Sequence, residues 1–193
     1  MPACAGKGIY YVYPNLDLPG EQYGSYTEPL RTAGVSQDQT FVDACTKAAI
    51  QARVSDAIET AIWEKYVFLV AASSMTSLTR LPLGAVREDP DTRALTRQLM
   101  SEVVAVGKAK GVALDADLVE RLMQRLDGMP REMVASMLGD LERGNRLELP
   151  WLAGGVVQMG KTLRVPTPAN GFVLAALKLY VNGRPADART PNA

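Results

Sequence analysis

The sequence contains no histidine, and that single absence excludes a wide range of chemistry. Without an imidazole there is no Ser-His-Asp or Cys-His nucleophile pair, no paired-histidine zinc site and no imidazole proton shuttle. Proton transfer near neutral pH then falls to Lys, Glu, Asp, Tyr or Cys with a shifted pKa. Cysteine is scarce. Cys4 and Cys45 make neither a disulfide framework nor a zinc site, so reduced thiols and a cytoplasmic location are expected, with Cys45 assigned to the core because it falls on an apolar stripe. Net charge is also missing. The 21 basic and 21 acidic side chains balance, and no stretch forms a basic patch, so nucleic acid is not an expected partner. The longest uninterrupted apolar run, Tyr66 to Ala72, is far shorter than the roughly 20 residues that span a bilayer. The N-terminus lacks a charged-then-apolar leader pattern, and no membrane association is expected. Finally, no Gly-x-Gly-x-x-Gly occurs, and Gly6-Lys7-Gly8 lacks the strand and helix that a phosphate-binding loop needs.

What remains is ordinary globular material: 193 residues, 47% apolar and 22% charged, enough for one domain or one domain and a fragment. The first fifty residues differ from the rest. Gly8 to Pro14, rich in aromatic and β-branched residues, predicts a strand. Pro19-Gly20 predicts a turn, Glu21 to Thr27 a second strand, and Glu28 to Gln37 a loop. Two strands cannot close a core alone, so this segment must lean on something else. From about residue 39 the pattern is helical. Thr40 to Gln51 carries a 3.6-residue apolar stripe, and Ser55 stands as the N-cap of a long buried helix from Asp56 to about Thr79. Pro90 opens a helix that Gly111 stops. Asp115 or Asp117 caps a short one ending near Gly128; with Glu120 these acids read as a helix start and not as a metal site. Pro130 opens the next, ended by Gly144. Two more follow, from Pro150 toward Gly160 and from Thr167-Pro168 to about Tyr180. The tail from Gly183 is expected to fray.

Three residues stand out chemically. Lys65 lies in the apolar stripe formed by Ile58, Ile62 and Leu69; it either snorkels to the surface or faces a polar pocket with a perturbed pKa. Ser136 lies among apolar residues of a predicted helix, where back-bonding to the chain is the ordinary explanation. Glu148 precedes Pro150 near a predicted helix start, where capping is the bland alternative to a site role. Gly154-Gly155 falls inside a helical pattern and is assigned to close helix packing.

These features occur together in one family. Trp63-Glu64-Lys65, then Ser136-Met137-Leu138-x-Asp140, then Glu148 twelve residues after that serine, then Val165-Pro-x-Pro-x-Asn170, resemble ketopantoate reductase (2-dehydropantoate 2-reductase). The resemblance spans the helical C-terminal domain, from about residue 39 to 181. It implies a mainly α fold: a multi-helix C-terminal domain of the 6-phosphogluconate-dehydrogenase-like type, preceded by a short β fragment of a Rossmann sheet. The implied organisation is a remnant of the nucleotide-binding domain over 1–38, the helical domain over 39–182 and a flexible tail over 183–193. The implied activity is NADP-dependent reduction of a 2-keto acid to a 2-hydroxy acid, in pantothenate biosynthesis or a paralogous reaction. By resemblance, Lys65 donates a proton to the carbonyl oxygen, Glu148 holds the substrate hydroxyl and helps position the lysine, and Ser136 contacts the substrate carboxylate.

Two departures qualify the expectation. The family commonly carries asparagines four and eight residues after the lysine, where this chain has Leu69 and Ser73. Ser73 is retained as a substrate-binding candidate; Leu69 cannot hydrogen-bond a hydroxy-keto acid, which points to another 2-keto acid. The cofactor-binding residues are unassigned, because the family's Gly-rich loop has no counterpart in this sequence, as expected of a truncated product, a fragment or a subunit that borrows a nucleotide-binding domain. This chain by itself is therefore expected to be inactive and to bind NADPH poorly. The alternative is a non-catalytic helical interaction or dimerisation module derived from the enzyme. The implied partners are a small 2-keto acid and either a second copy of the chain or a separate nucleotide-binding domain, with no metal.

Overall fold

The computed structural model describes residues 8–14, 21–24, 42–49, 51–55 and 57–186, with side chains over 42–49, at Ser55 and over 57–186. The expected turn at Pro19-Gly20, the loop 28–37, Cys4 and the tail beyond residue 186 lie outside the described residues. The chain divides into two compact units, Met1–Lys65 and Tyr66–Ala193.

In the first unit, β1 (Gly8–Pro14), β2 (Glu21–Gly24) and β3 (Gln51–Ser55) form a sheet in the order β2-β1-β3. Both pairings are antiparallel, with Val12 opposite Tyr23 and Tyr10 opposite Arg53. The strands predicted at β1 and β2 are therefore present, the second described as far as Gly24, and a third, unpredicted one lies between the two predicted helices, overlapping the first at Gln51. Helix α1 (42–47) is shorter than the predicted Thr40–Gln51. Ala49, at φ 58°, turns the chain left-handed, and Gln51 enters the sheet beside Val12. A strand pairing forty residues away decided that boundary, and local periodicity has no access to it. Cys45 is buried with a free thiol, as its stripe implied.

Helix α2 (Ile58–Thr79) begins in the first unit and continues into the second. The Ser55 hydroxyl accepts the Ala57 N–H at 3.2 Å, satisfying one of the donors left free at a helix start. From Val70 to Ser77 the helix is buried on every side, a stretch shifted from the apolar run Tyr66–Ala72: Tyr66, Phe68 and Leu69 are half-buried, while Ser73, Ser74, Thr76 and Ser77 are buried.

The second unit continues with α3 (Leu83–Glu88), α4 (Pro90–Ala109), α5 (Leu118–Asp127), α6 (Ser136–Arg143), α7 (Ala153–Leu163), α8 (Pro168–Leu177) and a closing 3-10 turn, Lys178–Tyr180. Its centre is α4, which packs against α3, α5, α7 and α8 and buries Leu99, Met100, Val103 and Val106. Asp89 caps α4 by accepting the N–H groups of Asp91 and Thr92, Pro90 occupies the first turn, and Gly111 leaves at φ 95°. Pro90 and Gly111 are the start and stop signals expected from the sequence; the Asp89 cap is seen first in the structure. Helix α5 buries Leu118, Leu122, Met123 and Leu126, one face at helical spacing. Asp117 occupies the N-cap position of α5, but its carboxylate makes no cap. Instead Arg121 pairs with Asp115 at 2.8 Å and Asp117 at 3.4 Å, while Glu120 pairs with Arg97.

The helix expected from Pro130 begins six residues later, at Ser136. The carbonyls of Arg131 and Met133 accept the N–H groups of Gly84 and Leu83, so this segment serves as a cap for α3 and cannot close its own helical ladder. Gly144 ends α6 in the left-handed conformation (φ 72°), and the Asn145 N–H reaches back to the Asp140 carbonyl, a Schellman-type stop.

Candidate functional site

Lys65 sits on α2 as the last residue of the first unit and is half-buried. Burial lowers its pKa below the usual lysine value, which makes the ammonium a stronger acid than one in free solution. Trp63, two residues earlier, is buried.

The remaining candidates lie in the second unit. Ser73 is fully buried in the middle of α2, and its hydroxyl, like those of Ser74 and Ser77, has no hydrogen-bond partner among the described residues. Ser136 is exposed and is the first residue of α6, not a mid-helix residue. Back-bonding to a preceding helical turn is unavailable there, because no such turn precedes it. Glu148 is exposed and forms no ion pair or side-chain hydrogen bond among the described residues. Nor does it cap the next helix: α7 starts at Ala153, its N-cap is Leu152, and no side chain caps it.

The segment that carries Glu148 is firmly held. Leu147 and Leu149 are buried on either side of it, and the Leu147 N–H donates to the Val181 carbonyl at 2.9 Å. The Glu148 carbonyl accepts N–H groups from Trp151 (2.9 Å) and Leu152 (3.1 Å), closing a turn that leads into α7. Arg146 lies over the indole of the exposed Trp151, 5.3 Å from the ring centre. The phenol of Tyr66, the first residue of the second unit, donates to the carbonyls of Trp151 and Leu152, each at 2.9 Å. Burial pushes the Tyr66 pKa up to about 12, so the proton stays on the donor. In the sequence Tyr66 stands only as the start of an apolar run. The available signal is that a buried tyrosine hydroxyl needs a partner.

Gly154 and Gly155 sit where packing demands them. A Cβ at 154 would lie 3.1 Å from the Leu149 carbonyl oxygen, and one at 155 would lie 2.9 Å from the Tyr66 hydroxyl. An open groove of about 560 Å³ runs along the junction of α7 and α8, lined by residues such as Val157, Lys161, Arg164 and Pro166, and none of the four site candidates lines it.

A dinucleotide needs a strand that passes through a glycine-rich turn into a helix N-terminus. Among the described strands, β3 leads into α2 through residues 56 and 57, neither of which is a glycine. The described residues do not fit a nicotinamide dinucleotide.

The family described as "Ketopantoate reductase PanE/ApbA C terminal" matches residues 57–181, and the chain belongs to that family. It is 36% identical over 132 residues to a 2-dehydropantoate 2-reductase of Mesorhizobium japonicum, covering 68% of this chain and 40% of that protein. Among solved structures, a ketopantoate reductase of Ralstonia eutropha JMP134 superposes with a TM-score of 0.61 at 32% identity, over 65% of this chain and 42% of the other. A ketopantoate reductase of Staphylococcus aureus, described as dimeric, shares the fold at a TM-score of 0.67 and 24% identity, over 76% of this chain and 51% of the other. The chain thus spans about half the length of the relatives it matches.

Proposed function

We propose that this chain is the keto-acid-binding half of a ketopantoate reductase-type oxidoreductase. On this reading Lys65 donates a proton to the carbonyl oxygen of a small 2-keto acid, Glu148 holds the substrate hydroxyl, Ser136 contacts its carboxylate and Ser73 supplies a further polar contact. The resemblance makes NADP the reductant. Because the described residues offer it no cradle, this chain is assigned only the acid's side of the reaction, and a nucleotide-binding domain is its partner. A second copy is a further candidate partner, since the Staphylococcus aureus relative is described as dimeric.

The observation that carries the reading is the family match over 57–181, a range that contains Lys65, Ser136 and Glu148. Two features support it. Burial weakens Lys65's hold on its proton, as a proton donor requires. Glu148 is exposed on a rigid turn and unpaired among the described residues, free to accept a ligand hydroxyl. Leu69, in place of an asparagine, favours a 2-keto acid other than ketopantoate itself.

The test is calorimetric titration of the chain with 2-dehydropantoate and with simpler 2-keto acids, followed by NADPH oxidation after a nucleotide-binding domain is supplied. Lys65→Ala is expected to abolish turnover with little loss of acid binding, and Glu148→Gln to weaken binding and slow turnover together. Turnover that persists in Lys65→Ala would overturn the assignment.

A further inference from the structure

Glu148 has no side-chain partner of its own among the described residues, so the direction of its carboxylate is set by the backbone that carries it. That backbone is pinned at two ends. At one end, buried Leu147 and Leu149 flank it. At the other, the turn closes onto Trp151 and Leu152, whose N–H groups go to the Glu148 carbonyl and whose own carbonyls receive the Tyr66 hydroxyl. Trp151 and Leu152 precede α7; the Leu152 carbonyl also accepts the Val156 N–H at 3.1 Å, the first bond of the helix, whereas the Trp151 carbonyl has no such helical bond among the described residues. One phenolic proton shared between two carbonyls at equal distance locks both peptide planes at once. The space for that hydroxyl is kept open by Gly155, whose side-chain position it occupies to within 2.9 Å.

The geometry points to Tyr66 as a positioning residue: through the Trp151 and Leu152 carbonyls it clamps the turn from Glu148 to Leu152 and so aims the Glu148 carboxylate. The inference rests on the substrate role proposed for Glu148. Tyr66 itself touches no reacting atom; it acts through the turn. A phenylalanine there keeps the ring and removes the bonds to the Trp151 and Leu152 carbonyls.

The experiment uses the whole 193-residue chain and the Tyr66→Phe variant, with two readouts. The first is amide hydrogen exchange. Exchange at Trp151 and Leu152 is expected to accelerate roughly fivefold or more, the scale of one lost hydrogen bond, while Val103 and Val106 in α4 keep their protection. The second is affinity for 2-dehydropantoate by calorimetry. Tyr66→Phe is expected to weaken it by roughly fivefold, and the Tyr66→Phe/Glu148→Gln double variant to bind no more weakly than Glu148→Gln alone, because both act through one carboxylate. Gly155→Ala, which crowds the hydroxyl off its acceptors, should reproduce both effects.

Unchanged exchange at Trp151 and Leu152 would overturn the clamp. Accelerated exchange with unaltered affinity, in a chain whose affinity Glu148→Gln does reduce, would overturn the positioning role. If the unmodified chain does not bind the acid while exchange still accelerates, the substrate reading of Glu148 fails and Tyr66 is reduced to a support of the fold, which likewise overturns the positioning role.

Discussion

Glu102 on α4 and Asn170 in the first turn of α8 are joined twice. One carboxylate oxygen of Glu102 accepts both the backbone N–H of Asn170 at 3.0 Å and its side-chain amide at 2.8 Å, while the other accepts the N–H of Ala169 at 2.8 Å. Both residues are buried. A buried carboxylate is costly unless its oxygens are satisfied, and here the donors and partial positive charge of a helix N-terminus satisfy them in place of a cation. Asn170, the last residue of the Val165-Pro-x-Pro-x-Asn170 signature, thus holds α8 to α4.

Replacing Glu102 by glutamine turns one acceptor into a donor facing N–H groups. We expect Glu102→Gln to lose about 1.5–3 kcal/mol, the scale of hydrogen bonds to a charged group. Asn170→Ala should cost less, because it removes one such bond and at the same time removes Oδ1, a buried acceptor without a partner among the described residues. Urea denaturation of the two variants checks the order; Asn170→Ala proving less stable than Glu102→Gln would contradict it.

The Tyr66 and Gly155 contact makes a prediction of opposite signs. Gly155→Ala alone should destabilise the chain, because the new methyl meets a hydroxyl held by two carbonyls. In a Tyr66→Phe background the obstacle is gone, and alanine should then be neutral or stabilising by up to about 1 kcal/mol through its helix propensity. Thermal melts of the four proteins provide the cycle, and equal effects in both backgrounds would disprove the clash.

Tyr66 also predicts an alkaline limit. Its folded pKa, about 12, exceeds the ordinary value of 10.0. The folded state therefore keeps a proton that the unfolded state releases, and stability is lost as pH rises from 10.0 toward about 12. The melting temperature of Tyr66→Phe should decline less steeply over that range than that of the unmodified chain. Parallel declines would show that Tyr66 does not titrate in this way.

For Lys65 the sign is reversed. Burial lowers its folded pKa below 10.5, so the unfolded state binds the proton more tightly and stability rises with pH through the window between the two values. Lys65→Met should raise the melting temperature at pH values below that window, where the half-buried lysine is protonated in both states. The advantage should shrink as the pH passes 10.5, where the lysine becomes neutral in both states. A pH-independent difference would mean that burial does not perturb this lysine.

Much of the helical domain was legible because its signals are local. Pro90 starts α4, Gly111 stops it, Gly144 ends α6, and the apolar face of α5 lies at helical spacing in the sequence itself. Two of the misjudged boundaries involve a distant partner; the unpredicted α3 and the start of α7 at Ala153, three residues after Pro150, are not of that kind. Gln51–Ser55 became a strand because β1 pairs with it, and the segment after Pro130 stayed out of a helix because α3 takes its carbonyls. Asp117 holds the cap position that its place in the sequence predicts, yet its carboxylate goes to Arg121.

The site divides along the same line. The sequence by itself determined the chemistry on offer: without histidine, proton transfer near neutral pH falls to Lys, Glu, Asp, Tyr or Cys, and residues 57–181 match the family. Only the tertiary structure decided how Glu148 is held, because the hydroxyl of Tyr66 and the carbonyls of Trp151 and Leu152 are 85 and 86 residues apart in the chain. Capping and periodicity act over a few residues and are written in them. A hydrogen bond to a backbone carbonyl leaves no mark on the identity of the residue that accepts it, since every residue carries the same C=O.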